Sequence, residues 1–230
     1  MELAERMGGA AEQLCLRADD LARGASGTIK VSAAYAAMNH WVLPLLSQFR
    51  KLHPEVNFET CTRENYISLE SGEADVAFRA ADKITGDTLI VKKLPPVIWG
   101  VYCNKAYPAT HGMPRSIDEI CDHPMLLYPD EMMQNVALLR WLARHCDGDD
   151  ILGRVDSVVT MSASLLNEQA VGALPCVEGD PIQGLVRCFT HEKLAGGFWL
   201  VASKEAYQKP LVRKFMTYVA EFFPRDTPAV

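Results

Sequence analysis

The sequence has 230 residues, 23 Lys and Arg against 29 Asp and Glu, a net charge of −6 and 49% hydrophobic residues. This is the make-up of a soluble globular chain with apolar mass for one large domain or two small lobes. With no basic run, such an acidic chain does not grip nucleic acid by itself, because phosphate binding needs Lys and Arg gathered on one face. Its longest uncharged apolar stretches, such as residues 94–102, are half a membrane span, and the first residues lack the order of a secretion signal, so a cytoplasmic address and no membrane partner are expected.

Residues 1–23 carry Leu3, Met7, Ala10, Leu14 and Leu21 at helical steps, a short helix with one apolar stripe that Gly8 and Gly9 weaken by about 1 kcal/mol each. From Thr28 the pattern changes. Residues 28–33 alternate as a strand, and Leu43, Leu46, Phe49 and Leu52 recur as a helix behind Pro44, closed by His53-Pro54. Residues 56–61 read as a strand, 66–70 as a short helix and 74–78 as a strand, a β-α-β-α-β order that implies a parallel sheet.

Pro95-Pro96 divides residues 88–94 and 97–103 into two strands, and Ser116 to Glu119 reads as a capping box opening a short helix. Residues 125–128 are strand-like and 136–146 helical. Then come a strand at 154–160, a helix at 163–170 and a strand at 197–202. The clearest element is the last helix, where Val212, Phe215, Met216, Val219, Phe222 and Phe223 form one stripe between Pro210 and Pro224. Two β/α halves suggest two lobes, with a ligand site in the cleft outside the strand ends.

The sequence carries no recognisable catalytic constellation. There is no G-x-S-x-G, H-E-x-x-H, phosphate loop or dinucleotide fingerprint, and the six histidines are isolated. No catalytic residue, metal site or cofactor is therefore expected. Asp147 to Asp150 lack the flanking pattern of a calcium loop and read as solvated. The seven cysteines are scattered without a Cys-x-x-Cys pair, which suits buried free thiols in a reducing compartment better than disulfides or zinc.

Three blocks, in this order, resemble the effector-binding region of the LysR-type transcriptional regulators: GTIKVSAAYAAMNHWVLPLLSQFRKLHPEVNFE, LESGEADVAFRA, and VGALPCVEGDPIQGLVRCF followed by FWLVASKEAYQKPLVRKFMTYVAEF. The likeness covers nearly all of residues 28–223. It implies an α/β fold of two Rossmann-like lobes, the type 2 periplasmic-binding-protein-like fold, with a cleft between them. Residues 1–27 would be the linker helix and turn, 28–98 with 204–224 lobe I, and 99–203 lobe II. The winged helix-turn-helix that precedes this region in the family is missing, and the segment 166–175 is about one helical turn shorter than is usual there.

The resemblance implies an allosteric module that takes a small-molecule effector between its lobes, works as a homodimer or homotetramer, and meets DNA only through the winged helix-turn-helix absent from this chain. The effector would meet the turn after the first strand, Tyr35 to Asn39. There Ala36 and Ala37 replace the family's usual hydroxyls and leave Tyr35 and Asn39 as polar candidates. Arg79, at a strand end, offers a carboxylate clamp, and Tyr128, Asp130 and Ser162 would complete the pocket from lobe II. Val42, Leu46 and Phe49 suit a dimer face or the helix's own core, with the core preferred. The alternatives are a free-standing solute-binding protein of the same bilobal shape and, less favoured, a bilobal enzyme such as hydroxymethylbilane synthase or prephenate dehydratase.

Overall fold

Strand β1 (Gly27–Ala33) turns Ile29, Val31 and Ala33 inward and Thr28 and Lys30 outward, the period of two that a sheet with one covered face requires. A computed structural model describes residues 27–62, 69, 72–86, 88–134, 136–146, 148–191 and 195–223. The helix read at 1–23, and all of the one read at 66–70 but Leu69, lie outside them.

Lobe I is built on a five-stranded sheet of order β2-β1-β3-β10-β4, with β2 at Val56–Thr62, β3 at Val76–Ala80, β4 at Leu89–Val97 and β10 at Gly196–Ser203. β2 and β3 flank β1 in parallel, as the β-α-β-α-β order implies, and β10 runs antiparallel between β3 and β4. One face is covered by the helix α2 (Leu43–Leu52) and by the final helix, α9 (Pro210–Phe222). Phe49 of α2 meets Phe215 of α9 edge-on at 5.2 Å. Val42, Leu46 and Phe49 are buried here and belong to the core. The opposite face carries a small cluster of Leu69, Ala74, Ala77 and Val201, with Trp199 against it.

Lobe II holds the antiparallel sheet β8-β5-β9, formed by β5 (Trp99–Asn104), β8 (Gly172–Pro175) and β9 (Leu185–Thr190). A parallel pair, β6 (Met125–Leu127) with β7 (Ile151–Arg154), docks beside β8 through the Met125–Val171 bridge. Around them lie α3 (Tyr107–His111), α4 (Asp130–Met133), α5 (Ala137–His145), α6 (Val158–Asn167) and α7 (Cys176–Gly179). The chain passes between the lobes twice, from β4 to β5 and from β9 to β10. It then returns through α8 (Lys204–Gln208) to α9.

Several expectations are corrected. β4 runs through both prolines to Val97. It is an edge strand, and its pairing slips between Gly196 and Phe198 of β10, so Pro95 and Pro96 sit at a bulge on an edge, where missing donors cost the ladder little. Residues 158–160 are helical and not strand. Ser157 caps α6 by accepting the N–H of Thr160 at 3.1 Å, and Val158, Met161 and Leu165 then bury one helical stripe. Glu119 accepts the N–H of Arg115 and not that of Ser116, and only a 3₁₀ turn follows at Ile120–Asp122. Residues 196–203 hydrogen-bond within the lobe I sheet, whereas the sequence reading grouped them with lobe II. Phe222 stays exposed while Phe223 closes the α9 stripe.

The cysteines are not all free. Cys121, in the 3₁₀ turn, and Cys146, capping α5, form a disulfide with Cα atoms 5.0 Å apart. Cys61, Cys103, Cys176 and Cys188 carry no disulfide.

Candidate functional site

The C-terminal end of β1 delivers the chain through Ala34 into a short helix, α1 (Tyr35–Ala37), then a π turn at Met38–Val42 that runs on into α2. Alternation ends here because β1 has crossed its sheet. Pro44, at the start of α2, has no N–H to lose, so the wide turn before it meets no competing donor. A π turn inside a helix re-aims the side chains that follow it, and such turns recur at functional sites. Ala36 and Ala37 are buried, while Tyr35 and Asn39 are exposed.

Two side-chain pairs tie the lobes together across this region. His40, in the π turn, meets Glu178 of α7 with Nε2 and Oε2 3.0 Å apart and both side chains largely shielded. Asp82, just beyond β3, pairs with Arg140 of α5, whose second nitrogen donates to the carbonyl of Gln134 at 2.8 Å. α1 also lies against α6. The two lobes therefore meet at the C-terminal ends of β1 and β3, where the topology of an open α/β sheet puts a ligand.

The lobe II side of this junction is a polar cluster behind Glu178. The Tyr102 hydroxyl donates to Asp180 Oδ1 at 2.7 Å, and Arg187 reaches Asp180 Oδ2 at 3.2 Å. The Cys176 thiol lies beside both Tyr102 and Arg187. Burial pushes the Tyr102 phenol far up, and the Cys176 and Asp180 contacts add to the shift; the Cys176 contact also raises Arg187. Tyr102 thus stays a neutral phenol and Arg187 a cation near neutrality. An ideal Cβ on Gly179 would lie 2.5 Å from the Tyr102 ring, so only glycine lets α7 pass that close.

The expected site residues come from several elements of both lobes. Tyr35 and Asn39 stand on the lobe I side of the junction. Arg79 is half-buried on β3, directly opposite Trp199, which places it on the sheet face of Ala77 and Val201, away from the α2 face. Tyr128 is buried and donates its hydroxyl to the Ala173 carbonyl at 2.9 Å. Ser162 is buried in α6 and donates to the Val159 carbonyl at 3.0 Å. Asp130 is exposed beside Arg154, 3.2 Å away, which offsets its charge.

Sequence reasoning missed His40, Glu178, Asp82 and Arg140, whose partners lie up to 138 positions apart. It also missed Trp99, which opens β5 where the chain enters lobe II. Its indole N–H is buried beside Gly196 and has no hydrogen-bond partner among the described residues. A separate recess of about 180 Å³ lies at the opposite end of β1, lined by Lys30, Asp75, Ser203 and Lys209. There Asp75 is occupied by the Lys30 N–H at 2.9 Å and by Lys209 at 2.7 Å. Among the described residues no His, Cys, Asp and Glu cluster could hold a metal ion, and no helix is long and apolar enough to cross a membrane.

Comparison with known proteins agrees with this geometry. The model of the LysR substrate binding domain matches residues 22–224. The HTH-type transcriptional regulator CrgA of Neisseria meningitidis (serogroup C) is 28% identical over 100 residues, covering 44% of this chain and 33% of that protein. The HTH-type transcriptional regulator YcaN of Escherichia coli is 26% identical over 207 residues, covering 84% of this chain and 65% of that protein. The chain therefore spans between a third and two thirds of the length of these regulators. Among solved structures, the regulatory domain of CrgA superposes with a TM-score of 0.67 at 21% identity, over 86% of this chain and all of that one. The effector binding domain of AmpR from Citrobacter freundii gives 0.65 at 16%, over 86% and 98%.

Proposed function

The chain belongs to the LysR substrate-binding domain family, and on that premise we propose that it is the effector-sensing part of a DNA-binding transcriptional regulator, taking a small organic carboxylate between its lobes. What carries this reading is the family match over residues 22–224, supported by two lobes that meet at the C-terminal ends of parallel strands. The ligand shifts the balance between two lobe arrangements, by about 1 to 3 kcal/mol for a coupling of ordinary size. In this proposal Tyr35 and Asn39 offer the polar contacts from lobe I and Arg79 clamps the carboxylate. Tyr128 and Ser162 shape the opposite wall while their hydroxyls stay on protein carbonyls. Homodimers or homotetramers then pass the change to a winged helix-turn-helix.

The test is thermal melting of the chain against aromatic and aliphatic carboxylates, amino acids and hydroxy acids. At 100 times its dissociation constant a ligand adds about 2.7 kcal/mol, raising the melting temperature by roughly 5 to 11 °C. A panel that shifts nothing removes the ligand class, and a shift that survives Arg79→Ala removes the clamp. The DNA role is tested by reading the genome upstream of the Met1 codon for an in-frame winged helix-turn-helix. One observation favours a second reading, a free-standing solute-binding protein: the Cys121–Cys146 disulfide suits an oxidising compartment. Alkylation of thiols in intact cells separates the two, since a bridge found closed in the cell supports the second.

A further inference from the structure

Away from the junction, lobe II holds a second pair of cysteines that is open. Cys103 of β5 is fully buried and Cys188 of β9 half-buried, and the Cys188 thiol donates to Cys103 with the sulfur atoms 3.5 Å apart. Their meeting follows from an irregularity in the ladder. Val101 pairs with Phe189 and Tyr102 with Arg187, so Cys188 is an extra residue with no partner of its own. Cys103 pairs with Val186, which makes Cys188 its diagonal neighbour, a position within side-chain reach on a twisted antiparallel pair.

We propose that Cys103 and Cys188 form a reversible dithiol–disulfide site oxidised by hydroperoxides. Cys188 is the entry point, because β9 is the edge of the three-stranded sheet and Cys103 has no exposed surface. The Cys188 sulfur attacks the O–O bond of hydrogen peroxide while its thiol proton is released toward the departing oxygen. This forms the S–O bond of a sulfenic acid; the departing oxygen collects the proton and leaves as water. Cys103 next attacks the Cys188 sulfur, the S–O bond breaks, and the hydroxyl leaves with the Cys103 proton as a second water. Two thiols have lost two hydrogens and two electrons, and one peroxide has become two waters. Closure requires the sulfurs to approach by about 1.5 Å, to a bond of about 2.0 Å, a displacement that a bulged edge strand accommodates. The burial of Cys103 keeps it from meeting the oxidant directly, so it reacts only through Cys188.

The experiment treats the intact chain with hydrogen peroxide, alkylates the remaining thiols after denaturation, and maps peptides without reduction. The expected product joins the Cys103 and Cys188 peptides, two hydrogens lighter than their sum, and dithiothreitol restores both alkylated peptides. In Cys103→Ser the linked product disappears and Cys188 is trapped by dimedone as sulfenic acid; in Cys188→Ser, Cys103 stays alkylated. The proposal is overturned if both thiols remain alkylable at a peroxide dose that oxidises Cys61. It is equally overturned if wild-type Cys188 goes on to sulfinic acid with Cys103 untouched, or if either is linked instead to Cys61 or Cys176.

Discussion

Gly197, where the chain re-enters lobe I, gives the sharpest stability test. An ideal Cβ there lies 2.3 Å from the Ala81 carbonyl oxygen and 2.9 Å from Trp199 Nε1. The first obstacle is backbone, so no rotamer relieves it. The same oxygen accepts the Trp199 indole N–H at 2.6 Å, and the Ala81 N–H donates to the Gly197 carbonyl at 2.8 Å, so both segments are pinned. Gly197→Ala must break at least one of these bonds, at about 1 kcal/mol each, and add overpacking strain of about 1–3 kcal/mol. The expected loss is about 2–4 kcal/mol, or roughly 5–15 °C in melting temperature for a chain of this size. Urea unfolding of the variant beside Gly153→Ala supplies the comparison. The Cβ of Gly153 would meet only the Leu126 side chain at 3.7 Å, and that change should stay within about 0.5 kcal/mol. A Gly197→Ala protein as stable as its parent would refute the packing of β10 against Ala81.

Tyr128→Phe leaves the buried Ala173 carbonyl without its 2.9 Å donor and should cost about 1–2 kcal/mol in urea unfolding; no loss would show that the hydroxyl points elsewhere. Dithiothreitol should lower stability by about 3 kcal/mol through Cys121–Cys146, which closes a loop of 25 positions. An unchanged urea midpoint would mean that the bridge is not formed. Removing both interlobe pairs, with Asp82→Ala and Glu178→Ala together, should speed hydrogen exchange in α1 and α6 while leaving the interior of each sheet protected. Equal protection in variant and parent would show that the lobes are held by other contacts.

The parts of the fold legible in the sequence are those set by local periodicity and punctuation. Pro210 and the stripe of Val212, Phe215, Met216 and Val219 define α9 because each residue's burial repeats every turn. Val158 and Val159 misled for the converse reason. β-branched neighbours read as strand, but the Ser157 cap and the buried faces of Met161 and Leu165 outweigh a propensity difference of a few tenths of a kcal/mol. Of the site, only the turn after β1 was legible, since it follows directly from the end of a strand. His40 with Glu178, and Cys121 with Cys146, are made by folding across long separations, and no spacing announces them. The hydroxyls of Tyr128 and Ser162 are taken by carbonyls that pattern alone does not reveal.

The two prolines on β4 govern more than the ladder beside them. A sheet edge offers a row of free donors and acceptors on which another chain's strand can align. Pro95 and Pro96 have no N–H, which removes two successive donors near the end of this edge, and the bulge opposite Gly197 interrupts its ladder. An incoming strand cannot zip along β4 to its end, which leaves β2, at the far border, as the sheet edge without prolines.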